Sequence, residues 1–263
     1  MSWKRILPAC LGSLALLAAV CTAAGATSSA GKITFCSDTT YPPMESISGG
    51  KIVGADVDIG NAIGKQMGRQ VEFKTTGFDV IIPALRAKKC DAIMSALTDT
   101  PVRRAQVDFA DYITVGELLM VKKGNPSHVS GLASLSGKNV AVQAATTEKD
   151  TLDAQNKKFE KAGKPKITIK IYPADTSAAA ALLAGRVDAY FSDSTPVLYY
   201  IQRSGGKFET AGPQVDSAPE GIATRKGDPL GPQFKTAIAK LYANGSMQKI
   251  LAKWGLGAFA LKK

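Results

Sequence analysis

Alternating strand and helix patterns are the feature that most constrains the fold of this chain. A short strand pattern at 32–37 is followed by apolar residues on one helical stripe at 56–67. Further strand patterns at 71–75, 90–96 and 107–113 enclose a helix pattern at 79–87. This β-α-β-α-β order predicts a mostly parallel sheet with helices on both faces.

A second set of patterns follows a breaker at Gly124-Asn125-Pro126. It comprises strands at 138–143, 166–172, 187–191 and 221–225, and helices at 146–162, 176–184, 198–202, 232–242 and 246–254. The second set does not repeat the first in sequence, so we predict two distinct α/β units. We expect the chain to pass between them near 115–118 and 214–220, which would make a two-strand hinge beside a cleft.

The first 26 residues have the composition of a secretory signal peptide. They contain no acidic residue, carry Lys4 and Arg5 before an apolar run at 6–20, and end on Ala24-Gly25-Ala26, a small-x-small cleavage site. We therefore predict export to the periplasm with cleavage near Ala26. Lipidation of Cys21 is the alternative, although Val20 directly before it matches a lipobox poorly.

Composition excludes several classes of function. The chain has 263 residues and a net charge of +11, which could favour binding to nucleic acid. We expect instead that its lysines lie on solvated helix faces, and an exported protein seldom meets nucleic acid. One histidine and four cysteines without a CxxC pair argue against a metal centre. We expect no nucleic-acid partner, no metal and no cofactor.

Polar residues follow the predicted strands, where ligands of open α/β sheets bind. These residues are Asp38 and Tyr41, then Thr98 and Arg103, then Thr146 and Thr147 at a predicted helix N-terminus, and Asp193. Arginine binds a carboxylate through two parallel hydrogen bonds, helix-terminal N–H groups add donors, and an aspartate accepts an ammonium. The set predicts a site for a zwitterion. Taken singly, the same residues could be turn or cap residues, and Arg103 could be a solvated helix charge.

Four segments resemble bacterial extracellular solute-binding protein family 3, the periplasmic polar amino-acid binding proteins of ABC transporters. They are 38–45 (DTTYPPME), 54–59 (GADVDI) with Ala62-Ile63, 91–98 (DAIMSALT) through Arg103, and 185–193 (GRVDAYFSD). The resemblance runs from about residue 32 to residue 254. It implies the type II periplasmic binding protein fold, with two Rossmann-like α/β lobes joined by a two-strand hinge. The implied division is a discontinuous lobe I at 27–116 and 219–263, with lobe II at 117–218.

The resemblance also implies roles for particular residues. Arg103 would bind the ligand α-carboxylate with Thr98 and the backbone near Thr147, and Asp193 would bind the α-amino group beside Ser95 or the backbone. Tyr41 and Phe78 would lie on opposite faces of the ligand side chain, with Asp38 and Glu148 near its far end. Ala96 replaces a serine of several relatives, which would remove one side-chain hydrogen bond.

The same mapping bears on the two cysteines that would remain after cleavage, Cys36 and Cys90. The resemblance places Asp38 and Ser95 at the rim of the cleft on neighbouring parallel strands, so the cysteines are offset by three residues. Three residues of strand at ~3.3 Å each span ~10 Å, which exceeds the ~7 Å limit for a disulfide. We therefore expect two separate thiols.

By this resemblance the chain is a monomeric receptor, not an enzyme, that delivers a free amino acid to the membrane permease of an ABC transporter. Exported cyclohexadienyl dehydratases resemble the same family, but such an enzyme needs a proton donor at the breaking bond, and no histidine lies near the cleft segments. A ligand-sensing module for a separate receptor is a third possibility. Asp38, Glu148 and the two aromatic rings favour a cationic ligand such as arginine, ornithine or lysine, with glutamine, histidine or another polar amino acid as the alternative.

Overall fold

The fold was determined as a computed structural model that describes residues 1–3 and 30–261. The predicted signal peptide and its cleavage site near Ala26 lie outside these residues, as does Cys21. Within the part described, no helix is long and apolar enough to cross a membrane.

The first α/β unit is built from the N-terminal half of the chain. Its elements are β1 (Ala30–Ser37), β2 (Thr40–Tyr41), β3 (Glu45–Ser48), β4 (Lys51–Val53), α1 (Ala55–Met67), β5 (Arg69–Thr75), α2 (Ile81–Arg86), β6 (Ala92–Ile93) and α3 (Pro101–Arg104). A long strand, β7 (Val107–Lys122), then leaves this unit. The predicted strand at 90–96 is thus confirmed only at its centre, and the predicted strand at 107–113 extends as far as Lys122.

The second unit and the return of the chain follow β7. The elements are β8 (Asn139–Gln143), α4 (Thr147–Lys161), β9 (Thr168–Tyr172), α5 (Asp175–Leu183), β10 (Ala189–Asp193), α6 (Ser194–Arg203), β11 (Phe208–Thr210), β12 (Val215–Arg225), α7 (Leu230–Ala243) and α8 (Ser246–Lys253). Their order agrees with the predicted alternation, which confirms the mixed α/β class.

The sheet has two parallel halves joined by antiparallel strands. Its order is β5-β1-β6-β12-β7-β10-β8-β9, with β11 added beside β7. β1 is parallel to β5 and β6, and β8 is parallel to β9 and β10. The long strands β7 and β12 pair antiparallel with each other and reach into both halves. The predicted crossing segments near 115–118 and 214–220 lie inside these two strands.

Each half has its own buried core. Two apolar clusters draw on residues 33–115 and 222–259, and two others draw on residues 118–211. Helix α1 packs closely against the sheet in the first half. A Cβ atom built on Gly60 would lie only 2.7 Å from the ring of Phe73. A side chain at this position would force the helix away from the sheet, because protein cores are close-packed.

Cys36 and Cys90 form a disulfide, so the expectation of two separate thiols is wrong. Their Cα atoms are 5.7 Å apart. The offset of three residues was correct, since Cys36 is level with Ile93 in the β1–β6 pairing. The segment before β6 is not extended, however: Lys88 has a φ of 58° and the Asp91 amide donates to the Thr34 carbonyl at 2.8 Å. This turn carries Cys90 back over β1.

We predict that replacing both cysteines by alanine lowers the free energy of unfolding by about 2–4 kcal/mol, because the bond closes a loop across 54 residues of sequence. Chemical denaturation of the Cys36→Ala/Cys90→Ala variant against the wild type measures the difference. Reduced wild type is the control and should unfold like the variant. Peptide mapping without reductant should find the two cysteines linked, and recovery of both as free thiols would contradict the structure.

Candidate functional site

Arg103 is held in a fixed position at the boundary between the two units. The Thr100 side chain accepts from the Arg103 amide and begins the short helix α3, with Pro101 in its first turn. The Arg103 guanidinium donates to the Thr98 carbonyl at 2.8 Å and to the Ala145 carbonyl at 3.2 Å, and it lies 5.5 Å from the centre of the Phe78 ring. These contacts use only some of the five N–H donors of the guanidinium, so its remaining N–H groups can bind an anion.

Asp193 lies on the other side of the site, at the end of β10. The Tyr41 hydroxyl donates to its Oδ2 at 2.6 Å and lies 3.2 Å from the Ser192 hydroxyl. Burial raises the pKa of Asp193 to about 6, while the Tyr41 hydrogen bond and the Arg103 charge oppose the increase. A cation beside Asp193 would favour its charged form.

The N-terminus of α4 supplies the third wall of the site. Thr146 precedes the helix and donates from its hydroxyl to the Gln143 carbonyl at 3.0 Å, while Thr147 and Glu148 form the first turn. The orphan N–H groups of this turn are donors for an anion. Glu148 is buried, and its Oε1 has no hydrogen-bond partner among the described residues.

These groups surround one small cavity of about 10 Å³. The lining residues are Tyr41, Phe78, Ala96, Thr98, Arg103, Gln143, Thr146, Thr147, Glu148 and Asp193. All of them except Gln143 were predicted from the sequence. The cavity therefore brings together one guanidinium, two carboxylates, hydroxyl groups, two aromatic rings and a helix N-terminus.

Two predicted site residues, Asp38 and Ser95, are not among the lining residues. Ser95 accepts from the Asp38 amide at 2.9 Å and donates to Glu45 at 2.7 Å, so its hydroxyl is used inside the first α/β unit. The reason is the left-handed turn at Ala96, which has a φ of 44° and donates its amide to Asp56. This turn presents Ala96 to the cavity in place of Ser95. Asp38 lies behind Gln143 and accepts from its amide at 2.5 Å.

Glu148 lies close enough to Asp193 and Glu117 for their charges to act on its carboxyl. Burial is the largest influence on the Glu148 carboxyl, and the charges of Asp193 and Glu117 then raise its pKa further, well above the ordinary value. The pKa of Asp38 is instead governed by burial and by bonds from Thr40 and Gln143. The placement of Asp38 and Glu148 near the far end of a ligand stays a prediction.

Sequence reasoning missed three polar residues at this site. Gln143 is the last residue of β8, and only residues after each strand had been considered. Glu117 and Glu220 lie inside the hinge strands β7 and β12. The sequence predicted that the chain crosses between the two α/β units in these segments, and no ligand-binding residue was predicted there. The signal was available for Gln143, because side chains at strand ends share the same edge of the sheet.

Hydrogen bonds between the two halves hold the cleft closed. Besides the Tyr41–Asp193, Gln143–Asp38 and Arg103–Ala145 bonds, the Asp175 amide donates to the Thr40 hydroxyl at 3.3 Å. Asp175 also accepts from the hydroxyls of Tyr190, Ser192 and Tyr200, which stabilise the wall behind Asp193. Within residues 30–261, no group of three or more histidine, cysteine or carboxylate side chains is arranged to hold a metal ion.

Several buried carboxyl groups predict an unusual dependence of stability on pH. Burial raises the pKa of Asp175 and of Glu117 to about 7, and that of Asp56 to about 6. Raised values in the folded state mean that the protonated form favours folding. The contribution of these groups is complete below their unfolded pKa near 4, and it is lost as the pH rises through 6 to 7.

We predict that the ligand-free protein, refolded from denaturant, melts at a higher temperature at pH 5.5 than at pH 8. The expected difference is at least about 2 °C, the shift that ~1 kcal/mol gives in a chain of this length. Asp175→Asn should reduce this difference, since the amide cannot ionise. Calorimetry showing an unchanged or rising melting temperature from pH 5.5 to pH 8 would contradict the assignment.

Comparison with known proteins agrees with the fold and shows the family of the chain. The family described as bacterial extracellular solute-binding proteins, family 3, matches residues 33–257. The L-arginine-binding protein of Pseudomonas aeruginosa is 34% identical over 82% of this chain and 85% of its own length. The histidine-binding periplasmic protein of Salmonella typhimurium is 32% identical over 85% of this chain and 87% of its own length.

A solved structure shares the whole architecture. An ancestral arginine-binding protein bound to arginine has a TM-score of 0.78 and 35% identity to this chain, covering 85% of it and 98% of the ancestral chain. This similarity confirms the predicted two-lobed fold of the periplasmic binding proteins.

Proposed function

The chain belongs to family 3 of the bacterial extracellular solute-binding proteins, and on this premise we propose that it binds a free cationic amino acid and delivers it to the membrane permease of an ABC transporter. Arginine, ornithine and lysine are the ligands proposed. The observation that carries the proposal is that Arg103 and Asp193, contributed by different halves of the sheet, line one enclosed cavity.

The α-carboxylate of the ligand would bind Arg103. The guanidinium already donates to two backbone carbonyls, which fixes its plane, and its remaining N–H groups match the two oxygens of a carboxylate. Thr98 and Thr147 line the same part of the cavity. The N–H groups at the start of α4 would add donors to the same anion.

The α-ammonium would bind Asp193, and the side chain would extend between aromatic rings. Tyr41 and Phe78 both line the cavity, and aromatic faces favour cations by about 0.5–2 kcal/mol. We propose Glu148 and Gln143, which line the cavity, for the far end of the ligand, with the Asp38 charge acting through the Gln143 amide that it binds. Ser95 supports the wall through Asp38 and would not touch the ligand.

The balance of charge favours a cationic ligand over a neutral one. Among the lining residues Arg103 carries the positive charge, while Asp193 and Glu148 can each carry a negative charge. A zwitterion with a cationic side chain would neutralise this set, whereas a neutral amino acid would leave one buried charge uncompensated, at a cost in affinity. Binding of arginine by the Pseudomonas and ancestral relatives supports the same ligand class.

Histidine, glutamine or another polar amino acid is the second candidate, and the named histidine-binding relative favours it. An enzymatic function is not supported, because the relatives named above are binding proteins. The sensing role considered from the sequence has no specific observation in its favour.

We further propose that lobe I comprises 27–116 and 219–263 and that lobe II comprises 117–218. The separate apolar cores, which change at β7 and β12, support this division. Closure about these two strands would bring Arg103 and Asp193 together around the ligand. The family is extracellular, and we propose a monomer in the periplasm, released from its signal peptide near Ala26.

We predict that Arg103→Ala and Asp193→Ala each weaken arginine binding at least about 30-fold while the protein stays folded. Removal of one partner of a buried charge pair costs about 2–5 kcal/mol. Arg104→Ala is the matched control, since the neighbouring Arg104 is exposed and paired with Asp99, and it should bind like wild type. Calorimetry measures the affinities and circular dichroism the fold.

In competition, arginine, ornithine or lysine should displace glutamine and glutamate from the wild type. Wild-type affinity in either site variant would refute the assigned site. A neutral or acidic amino acid that binds more than about tenfold tighter than all three cationic ones, a gap of ~1.4 kcal/mol, would refute the ligand class.

A further inference from the structure

Two acidic residues of the hinge strands adjoin the site from behind. Glu117 on β7 is the direct cross-strand partner of Asp193 on β10. Glu220 on β12 forms a bridge with Thr98, whose carbonyl accepts from the Arg103 guanidinium. Each hinge acid is therefore one backbone contact away from a residue that would hold the ligand.

Both side chains are removed from solvent without full compensation. Glu220 is completely buried and Glu117 is 3% exposed. Within residues 30–261, no N–H or hydroxyl group donates to either oxygen of the Glu220 carboxyl, whose hydrogen-bonding neighbour is the Asp193 carboxyl, and Glu117 Oε2 and Glu148 Oε1 likewise lack a donor. Buried polar groups are normally satisfied, so unpartnered carboxylate oxygens beside a cavity indicate that a positive group belongs there.

The charges around the cavity are strongly unbalanced. Four carboxyl groups lie in or behind its wall, those of Glu117, Glu148, Asp193 and Glu220, and the Arg103 guanidinium interacts with three of them, Glu148, Asp193 and Glu220. Directly opposed like charges destabilise a sheet, which applies to Glu117 and Asp193. Proton uptake by the ligand-free protein would relieve the repulsion, and burial, followed by the Asp193 charge, raises the pKa of Glu220.

We propose that Glu117 and Glu220 are specificity-determining residues that favour a ligand with a second cationic group over one whose only cation is its α-ammonium. They act through the potential they add to the cavity and need no contact with the ligand. In a water-excluded site this potential is weakly screened, so a charge near the site contributes more than it would at the surface. The inference rests on the proposed function, because it assumes that an amino acid occupies this cavity.

The test compares arginine with citrulline, which has the same length and replaces the guanidinium by a neutral ureido group. We expect Glu117→Gln and Glu220→Gln each to weaken arginine binding about tenfold and to change citrulline binding less than about threefold, both measured by calorimetry or by competition. Glu160→Gln is the matched control, since it removes the same charge from an exposed position in the same half as Asp193. It should leave both affinities unchanged.

The charge-retaining variants Glu117→Asp and Glu220→Asp separate charge from packing, and they should keep the arginine-to-citrulline ratio within about threefold of wild type. The inference is overturned if the amide variants weaken both ligands equally, if they change neither, or if the aspartates lose as much as the amides. Wild-type protein that binds neither amino acid would refute the proposed function itself, an outcome distinct from the other three.

Discussion

The structure depends on one buried guanidinium facing several buried carboxylates across a cleft. Arg103 is anchored by backbone carbonyls from both halves of the sheet, and Asp193 is anchored by Tyr41 from the opposite half. Burial strengthens each of these interactions and makes every uncompensated charge costly. A ligand that carries one carboxylate and two cations satisfies both requirements, since it pairs with the arginine and also reduces the excess of negative charge.

The two strands that connect the lobes also carry part of this electrostatic arrangement. β7 and β12 pair over most of their length, and they place Glu117 opposite Asp193 and Glu220 beside Thr98. Groups in a hinge change their surroundings when the lobes move. Closure would therefore bury these carboxylates and the ligand charges in the same step, so that the ligand's own cation helps to stabilise the closed form.

Much of the fold could be predicted from the sequence, because strand and helix periodicity fix the order of elements. That order also predicts at which edge of the sheet Tyr41, Arg103 and Asp193 meet, whereas Phe78, Ala96 and Glu148 followed from the family resemblance alone. The exceptions have local causes. A left-handed residue at Ala96 turned Ser95 inward, and a bend at Lys88 brought Cys90 over Cys36; neither residue is a glycine that would announce such a conformation. Gln143 was missed because it is the last residue of a strand and only residues after the strands were considered. The two hinge glutamates lie within strands, where only tertiary pairing shows which side chains meet.

The crystal structure of the protein grown with arginine tests the central claim most directly. The account predicts one arginine between the lobes, with its α-carboxylate on the Arg103 guanidinium and the N-terminus of α4, its α-ammonium on Asp193, and its side chain between Tyr41 and Phe78. An arginine bound outside this cavity, or one whose carboxylate points away from Arg103, would contradict it.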